Sequence, residues 1–472
     1  MENCLPLLSD DLLRVIVSDV KNYALSNGLG LRCKESPNDD MMQLLPISLF
    51  PSPFPRATFE FAQSIQKSVN KLMHAVSLDS SFLCEQLETT IAVDEFTKNL
   101  LLTHLKVLKE GSAQENSLGL FRADYMLNEE PQLLRQIEVN AISVSFGGLS
   151  NKVSKIHEYV MSKYNPAMHK KESFPQRDTC FMLAKGLTDA WDYYGVASAV
   201  ILIVVEDTVI NVYDQKAIEF AVYHTRPEIK IMRKKFSELP SITRLVGNQL
   251  LFVENNEVAV VYFRTAYTPE QYNQSLWDLR FLLEKSKAII CPSIHYQLAG
   301  VKKIQQVLTK KEVLEKFLTE SNEMEAVYST FAKISGLELN EQGNAALAEA
   351  LNHPHKYVLK PQREGGGNNF YGEEMVGILS SLKNDRKREA FIVMELISPR
   401  PIKNYILRPS YPVSSEPEEI VGELGIFGTI MGNKNEILFN EETGYVLRSK
   451  AVGVKEGGIS AGFGILDTPF LY

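Results

Sequence analysis

Cysteine is scarce in this chain of 472 residues, which contains Cys4, Cys33, Cys84, Cys180 and Cys291. Their number is odd, they are widely spaced, and no two of them have the C-x-x-C spacing. The sequence therefore indicates neither a disulfide framework nor a structural zinc site. Unpaired cysteines suit a reducing compartment, and we expect a cytoplasmic protein.

Long hydrophobic runs and an excess of positive charge are also missing. No run of 18 apolar residues occurs, and the N-terminus lacks the basic and apolar regions of a signal peptide, so we expect no membrane span. The net charge is −8, from 50 basic and 58 acidic residues. This balance argues against a nucleic-acid partner, which requires a basic surface, but it allows a local basic pocket for small anions.

Several familiar signatures are absent too. The chain has neither the G-x-x-x-x-G-K-[ST] loop nor the G-x-G-x-x-G motif, and no G-x-S-x-G nucleophile elbow. Its hydrophobic content of 44% and charged content of 23% are typical of a soluble globular protein. The length predicts roughly three domains of ordinary size.

The most informative stretch is 360–371, Lys-Pro-Gln-Arg-Glu-Gly-Gly-Gly-Asn-Asn-Phe-Tyr, which follows a short apolar strand. Three consecutive glycines let the backbone take positive φ and approach a ligand, and their N–H groups can cradle phosphate. Lys360 can supply a cation and Glu364 can hold a metal. A mobile turn is the alternative for the glycines alone; the charged neighbours favour a phosphate loop.

A second candidate site lies in residues 136–142, Gln-Ile-Glu-Val-Asn-Ala-Ile, which alternate strictly between polar and apolar. This pattern predicts a strand with Gln136, Glu138 and Asn140 on one face. The oxygens of Glu138 and Asn140 could meet one hard cation such as Mg²⁺. The alternative is a pair of polar side chains on a solvated sheet face.

Three arginines lie on or just after strand-like runs: Arg122, Arg264 and Arg448. Arginines at strand ends suit carboxylate or phosphate groups through bidentate hydrogen bonds, although each could instead form a surface ion pair. Glu423 has apolar neighbours, so we expect it to be paired or to bind a ligand. Residues 394–397 end an apolar strand. Their backbone groups could contact the edge of an adenine ring, and the alternative is a strand of the hydrophobic core.

The pattern of the chain predicts an α/β protein. Its N-terminal third is mostly helical, with Thr58 and Asp94 as helix caps, Gly111 as a helix end, and Leu101, Leu105 and Leu108 facing inward. Residues 196–295 repeat a strand–helix rhythm that predicts a Rossmann-like parallel sheet. Around the glycines, strand, loop, helix and strand predict a compact α+β flap.

Taken together, these motifs resemble the eukaryotic glutathione synthetases of the ATP-grasp superfamily. The resemblance covers nearly the whole chain and is carried by seven segments in the same order: 136–140, 145–148, 297–303, 360–369, 423–428, 447–450 and 456–458.

The resemblance implies an ATP-grasp architecture with a helical N-terminal part, a Rossmann-like substrate subdomain and an α+β lid. The segments that we expect are a helical part of the main body (1–115), metal- and substrate-binding strands (116–195), the Rossmann-like subdomain (196–300), a helical connection (301–335), the lid with its glycine loop (336–405), and C-terminal strands with an alanine- and glycine-rich loop (406–472).

The family's activity would be the ATP-dependent ligation of γ-glutamylcysteine to glycine, giving glutathione, ADP and phosphate, in a homodimer. Glu138, Asn140 and Glu364 would hold Mg²⁺. ATP would bind to Glu138, Lys302, Lys360, Glu364, Gly365, Gly366, Gly367, Asn368, Asn369, Tyr371, Met394, Glu395, Leu396, Ile397, Glu423, Lys450 and Glu456. The dipeptide and product would bind to Arg122, Ile142, Ser143, Val144, Ser145, Asn211, Gln215, Arg264, Thr265, Ala266, Tyr267, Arg448, Ile459 and Ser460. Arg448 and Arg122 would stabilise the tetrahedral oxyanion.

The chain departs from the family pattern at three places. Val209 and Ile210 precede Asn211 where the family often has Glu-Arg, Thr265 and Ala266 replace Asp-Gly, and Ser460 replaces an alanine. A ligase that joins a different acid and amine, such as serine or β-alanine, is therefore one alternative. A binder that senses nucleotide without catalysis is another, which the presence of Glu138, Asn140 and Glu364 disfavours.

Overall fold

The computed structural model describes residues 5–33, 38, 40–455, 457–459 and 462–472. The α-helices in these ranges are α1 (Asp10–Ser26), α2 (Arg56–Leu78), α3 (Ser80–Ile91), α4 (Glu95–Glu110), α5 (Ser150–Tyr164), α6 (Thr179–Tyr194), α7 (Val212–Thr225), α8 (Leu239–Ile242), α9 (Gln274–Lys285), α10 (Ile294–Ala299), α11 (Lys302–Leu308), α12 (Lys311–Phe317), α13 (Ser321–Tyr328), α14 (Glu341–Asn352) and α15 (Gly372–Ser381).

The strands alternate with these helices along most of the chain. They are β1 (Gly30–Leu31), β2 (Gln43–Leu44), β3 (Ile47–Ser48), β4 (Ser52–Phe54), β5 (Ser117–Leu127), β6 (Leu134–Asn140), β7 (Val200–Val205), β8 (Ile231–Lys235), β9 (Thr243–Val246), β10 (Leu250–Val253), β11 (Asn256–Phe263), β12 (Ile289–Cys291), β13 (Ile334–Gly336), β14 (Tyr357–Pro361), β15 (Phe370–Tyr371), β16 (Phe391–Glu395), β17 (Ile402–Asn404), β18 (Ile406–Leu407), β19 (Glu418–Gly432), β20 (Ile437–Ala451), β21 (Ile465–Asp467) and β22 (Pro469–Leu471).

The largest sheet runs in the order β18-β3-β21-β20-β19-β5-β6, with β17 also paired to β19. Alternate residues of β5 enter different hydrophobic clusters: Phe121, Ala123 and Tyr125 pack with α2, α3 and α10, whereas Leu118 and Leu120 pack with α5 and α6. This alternation follows from the period of two along a strand. The second face turns polar at residue 122, and the site described below begins there.

The predicted Rossmann-like sheet is present. Strands β8, β7, β11 and β12 are parallel neighbours, as the strand–helix rhythm indicated. The chain adds an antiparallel hairpin, β9 and β10, to the edge of β11, which was not predicted. The hairpin turns at Gly247 and Gln249, which both have positive φ.

The flap is a four-stranded antiparallel sheet in the order β13-β16-β14-β15. Helices α14 and α15 pack on it through a small core of its own that includes Leu347, Leu359, Met375, Leu379 and Val393. The three glycines connect β14 to β15, so the phosphate-loop candidate is the tip of a separate layer that faces the rest of the protein.

Two predictions about the N-terminal helices need correction. Helix α2 begins at Arg56 after Pro55, so Thr58 lies inside its first turn and is not its cap. On α4, Leu101 is buried as predicted, but Leu105 and Leu108 are exposed. The buried face of α4 instead carries Phe96, Leu100, Leu101, His104 and Val107.

The caps of α4 were predicted correctly: Asp94 accepts a hydrogen bond from the Thr97 amide at 2.8 Å, and Gly111 ends the helix at positive φ. Among the described residues, no helix has both the length and the apolar character needed to cross a membrane.

We expect Asp94→Ala to lower the stability of the protein. Asp94 is 5% exposed and also forms an ion pair with Arg363 at 2.6 Å, so the substitution removes a helix cap and unpairs a cation. The loss of the cap costs about 1 to 2 kcal/mol. Calorimetric melting of Asp94→Ala beside Asp94→Asn, which keeps a capping oxygen, would check this. Equal melting temperatures for the two variants would contradict a contribution of the cap, because both variants lose the charge and only Asp94→Ala loses the capping oxygen.

Candidate functional site

A cavity of about 270 Å³ lies between the large sheet, the carboxyl ends of the Rossmann-like strands and the flap. Most of the predicted site residues line it: Arg122, Glu138, Asn140, Ile142, Ser143, Val144, Ser145, Asn211, Gln215, Arg264, Tyr267, Lys302, Lys360, Glu364, Gly365, Gly366, Gly367, Asn368, Asn369, Glu423, Arg448 and Ile459. Residues from segments that are far apart in sequence therefore meet in one place.

Four neighbouring strands present the charged residues of the cavity in register. On β6 and β5, Glu138 lies opposite Asp124 and Asn140 lies opposite Arg122. On β19 and β20, Glu423 lies opposite Arg448. Gly425 stands opposite Asp124, where a Cβ would come within 2.8 Å of the Arg122 and Asp124 side chains. Because glycine has no side chain, it leaves room at this position for the ion pair of Arg122 and Asp124.

The strict alternation predicted for β6 is interrupted. Asp124 pairs with Glu138 and Tyr125 pairs with Gln136, so Ile137 is an extra residue that forms a bulge. Glu138 and Asn140 still share a face, but Gln136 does not join them: with Val139 it lines a smaller apolar cavity beside α2 and α11.

Asp124 is the centre of the charge network on this face and has no exposed surface. Its carboxylate accepts hydrogen bonds from Arg122 Nε at 2.6 Å and Arg122 Nη2 at 2.8 Å, and from Arg448 Nη2 and Asn140 Nδ2, both at 2.8 Å. Arg448 also contacts Glu423. One buried carboxylate thus orients two arginines and the amide of Asn140.

Lys302 joins the two carboxylates that were predicted to bind a metal. Its Nζ lies 3.2 Å from Glu138 Oε2 and 2.9 Å from Glu364 Oε1. Helix α11 holds Lys302 in place because Gln305, one turn further on, accepts a hydrogen bond from Val139 N at 2.8 Å and donates one to Val139 O at 3.1 Å.

The local charges shift the acid–base properties of this cluster. Burial would raise the pKa of Glu138, but Lys302, Lys360 and Arg448 hold it well below its ordinary value. Burial raises the pKa of Glu364, although the positive charge of Lys302 opposes this shift. Burial also raises the pKa of Glu423, and there the positive charge of Arg448 opposes the shift. Burial lowers the pKa of Lys360.

The glycine loop has the predicted backbone. Gly365, Gly366 and Gly367 have φ of 94°, 69° and 76°, which side-chain-bearing residues rarely adopt. Gly365 lies against Tyr267, so close that a Cβ would come within 2.9 Å of the ring. The segment before the glycines is anchored to the body by the ion pair of Arg363 with Asp94.

The far end of the cavity is built around Arg264, which is 2% exposed. It donates to Val144 O at 2.8 Å, and to Ser145 Oγ and Asp214 Oδ2 at 3.0 Å each. Asp214 also accepts from Gly148 N at 2.9 Å, so it ties the 143–148 loop to Arg264.

Asn211 and Gln215 extend this end of the cavity. Asn211 Nδ2 lies 3.4 Å from Ser145 Oγ, and Gln215 Nε2 donates to Asn211 Oδ1 at 3.1 Å. The apolar replacements Val209 and Ile210 do not line the cavity; they pack against the hydrophobic core.

Some predicted residues lie outside the cavity. Thr265 and Ala266 are buried behind Arg264, and the Ala266 carbonyl accepts from Gln297 Nε2 at 3.1 Å. Lys450 donates to the Lys455 carbonyl at 2.8 Å. Glu456 and Ser460 fall outside the described residues.

The remaining predicted ATP-binding residues of the flap belong to an apolar cluster and to a surface cavity beside the charged cavity. Tyr371, Met394, Leu396 and Ile397 pack in one cluster with Ile137, Ile334, Val358 and Ala332, and Glu395 lines the adjoining surface cavity. Ile137 belongs both to this cluster and to the lining of the charged cavity. This cluster is an apolar wall against which a flat ring could pack while attached phosphates reach the glycine loop.

Several lining or supporting residues were not among the predicted site residues, namely Asp124, Asp214, Glu206, Arg363, Ile137, Phe146 and Phe463, although Arg363 was one of the charged neighbours that favoured a phosphate loop. Asp124 had a signal, because Arg-x-Asp on one strand places opposite charges on the same face. Glu206 had one as well, since it directly follows a buried parallel strand, where sites usually form.

The large sheet, the glycine-loop flap and the charged cavity between them are those of the ATP-grasp class. The family model "Eukaryotic glutathione synthase, ATP binding domain" matches residues 10–471. Glutathione synthetase from Rattus norvegicus is 41% identical and the one from Homo sapiens 40% identical; these matches cover 98% and 97% of both chains.

A solved structure of a glutathione synthetase-like effector from Globodera pallida, in the apo form, superposes with a TM-score of 0.77 at 28% identity, covering 100% of both chains. The chain belongs to the eukaryotic glutathione synthetase family. The predicted family and fold class are thereby confirmed.

We expect Asp124→Asn to destabilise the protein strongly, because it leaves the buried guanidinium groups of Arg122 and Arg448 without their shared counter-charge. Removing one partner of a buried ion pair costs about 3 to 5 kcal/mol. Thermal unfolding would show a large fall in the melting temperature, whereas Asp11→Asn, on a side chain that is 92% exposed, should shift it little. Similar small shifts for both variants would contradict the central role of Asp124.

Proposed function

We propose that this protein is an ATP-dependent ligase that joins γ-glutamylcysteine to glycine, giving glutathione, ADP and phosphate. The observation that carries the proposal is the continuity of the cavity: the glycine loop with Lys302 and Lys360 lines one end, and Arg264 with Asn211 lines the other. A nucleotide phosphate and a carboxylate substrate would thus meet beside Arg448.

The roles proposed at the nucleotide end follow from charge and shape. Lys302 and Lys360 are buried cations that lie beside the loop glycines, and these glycines present backbone N–H groups to phosphate oxygens. Glu423 lines the same cavity, and the apolar cluster that includes Ile137 is the proposed wall for the adenine ring. Tyr371, residues 394–397, Lys450 and Glu456 remain assigned to ATP by family resemblance.

Mg²⁺ fits the donor set at Glu138, Asn140 and Glu364. The two carboxylates already converge on one positive charge, the Lys302 ammonium. Asn140 turns its Nδ2 toward Asp124 and Arg122, so its amide oxygen accepts no hydrogen bond from the described residues. When bound, the metal would offset the negative charge that develops during phosphoryl transfer.

The chemistry requires activation of a carboxylate, because its oxide leaving group does not depart at neutral pH. The cysteinyl carboxylate of the dipeptide attacks the γ-phosphorus of ATP, and ADP leaves, forming an acyl phosphate. The amine of glycine then attacks the acyl carbon and phosphate departs as the amide forms. The protein provides positions and charges, and no nucleophilic side chain is needed.

Arg448 and Arg122 are the proposed oxyanion stabilisers. Both line the cavity, and Asp124 fixes the orientation of both guanidinium groups. A pre-oriented donor stabilises developing charge without a reorganisation cost. The glycine loop and the segment around Gly457, Gly458 and Ile459 are the proposed covers that keep water away from the acyl phosphate.

The broader setting is part of the same proposal. We propose a cytoplasmic homodimer, with residues 1–115 and 116–195 in the main body, 196–300 as substrate subdomain, 301–335 as connection, 336–405 as lid and 406–472 as C-terminal strands. Thr265, Ala266, Ile459 and Ser460 belong to the proposed dipeptide and product site through the family resemblance.

Identification of the product tests the proposed reaction. Purified protein would receive ATP, Mg²⁺ and γ-glutamylcysteine with glycine, β-alanine or serine, and phosphate release would be followed together with mass spectrometry of the ligated peptide. We expect ligation with glycine at the highest rate. Ligation with another amine but not glycine, or no phosphate release with any of them, would refute the proposal.

We expect Glu364→Gln to lower the turnover number by about 100-fold or more, because it removes a carboxylate ligand of the Mg²⁺ that would offset charge on the reacting phosphates. The fold should survive, since the flap has its own core, and the melting temperature should stay close to the parent's. Glu373→Gln, an exposed carboxylate of the same flap, is the matched control. Turnover equal to the parent's in Glu364→Gln would refute the metal role.

A further inference from the structure

Glu206 is a carboxylate of the cavity that has no part in the reaction described so far. It directly follows β7, is half-buried and lines the cavity. Its Oε1 accepts a hydrogen bond from the Tyr267 hydroxyl at 2.7 Å. Its Oε2 accepts none from the described residues, so one carboxylate oxygen is open to a ligand.

Glu206 and Arg264 directly follow the carboxyl ends of two neighbouring strands, β7 and β11. Strands β7 and β11 are parallel, Phe263 pairs with Val204, and the Arg264 amide donates to the Val204 carbonyl at 2.8 Å. Neighbouring strands lie about 4.8 Å apart, and both residues line the cavity, so this region of the wall carries an anion as well as a cation. Arg264 Nε is buried and has no hydrogen-bond partner among the described residues.

This pairing matches the head of a γ-glutamyl group. Because the peptide bond uses the γ-carboxyl group, the α-carbon keeps a free carboxylate and a free ammonium group. A site that removes both from water must supply a charge of each sign. Arg264 can serve the α-carboxylate, and the ammonium then needs a carboxylate within reach on the same wall.

The other acidic group at this end is already committed. Asp214 has no exposed surface and is held by Arg264 and the Gly148 amide. Val209 and Ile210 are apolar and pack away from the cavity. Glu219 lies deeper and is paired with Lys216 and Arg233. Glu206 is therefore the carboxylate of this region that is both placed on the cavity wall and open to a ligand.

We propose that Glu206 is the counter-ion of the α-ammonium group of the γ-glutamyl substrate and selects for a free α-amino group. This inference rests on the proposed ligase function. Tyr267 is the positioning residue for Glu206: its hydroxyl holds one carboxylate oxygen, and its ring supports Gly365 of the glycine loop.

The experiment compares γ-glutamylcysteine with glutarylcysteine, which lacks only the α-amino group. In the parent enzyme, the KM for glutarylcysteine should be at least about tenfold higher. In Glu206→Gln, the KM for γ-glutamylcysteine should rise by about tenfold or more, because the ammonium loses its charged partner. The KM for glutarylcysteine should change less than about threefold, and the KM values for ATP and glycine should stay the same.

Two further variants separate charge recognition from a structural effect. Glu206→Asp keeps a carboxylate and should restore part of the preference for the free amino group. Asp207→Asn changes the adjacent exposed carboxylate, which contacts Ser237 outside the cavity, and should leave the preference unchanged.

Three results would overturn the inference: an unchanged preference in Glu206→Gln, an equal rise in KM for both dipeptides, or no preference in the parent. Failure of the parent to release phosphate with γ-glutamylcysteine and any amine refutes the ligase function instead. Calorimetric binding of the two dipeptides to parent and Glu206→Gln then tests Glu206 separately, and equal affinities of the parent for both would overturn its role.

Discussion

The buried carboxylate of Asp124 is the interaction on which the site depends. Three strands bring Arg122, Asn140 and Arg448 to it, and among the described residues it is the one acceptor that these three side chains share. The arrangement requires Gly425 on the strand between, because any side chain there would occupy the space of the ion pairs. Backbone register and electrostatics are therefore coupled: a slip of one residue in β19 would separate the charges.

Much of this organisation could be predicted from local pattern. The strand with Glu138 and Asn140, the glycine loop, and the parallel strands of the Rossmann-like sheet all have short-range periodicity or composition that indicates their structure. The bulge at Ile137 could not be predicted, because it depends on the register in which β6 pairs with β5. Asp124 and Arg448 are 324 residues apart, and only the assembled sheet shows that they meet.

The residues that depart from the family pattern lie mostly outside the lining of the cavity. Val209 and Ile210 are apolar and pack against the core, so the polar lining of this part of the cavity comes from Asn211, Gln215, Arg264 and Glu206 instead. Ala266 occupies a position with φ of 70°, which glycine adopts more easily. Its buried carbonyl, held by Gln297, maintains the turn that follows Arg264.

The side-chain amide of Gln305 covers part of the edge of the large sheet, in addition to placing Lys302. Strand β6 ends the large sheet, and an uncovered edge is a template on which another chain can add a strand. Gln305 saturates the N–H and C=O of Val139 as a neighbouring strand would, and the Thr330 carbonyl accepts from the Gln136 amide. One helix thus positions Lys302 in the cluster of charges and also occupies edge groups of β6 that an added strand would otherwise pair with.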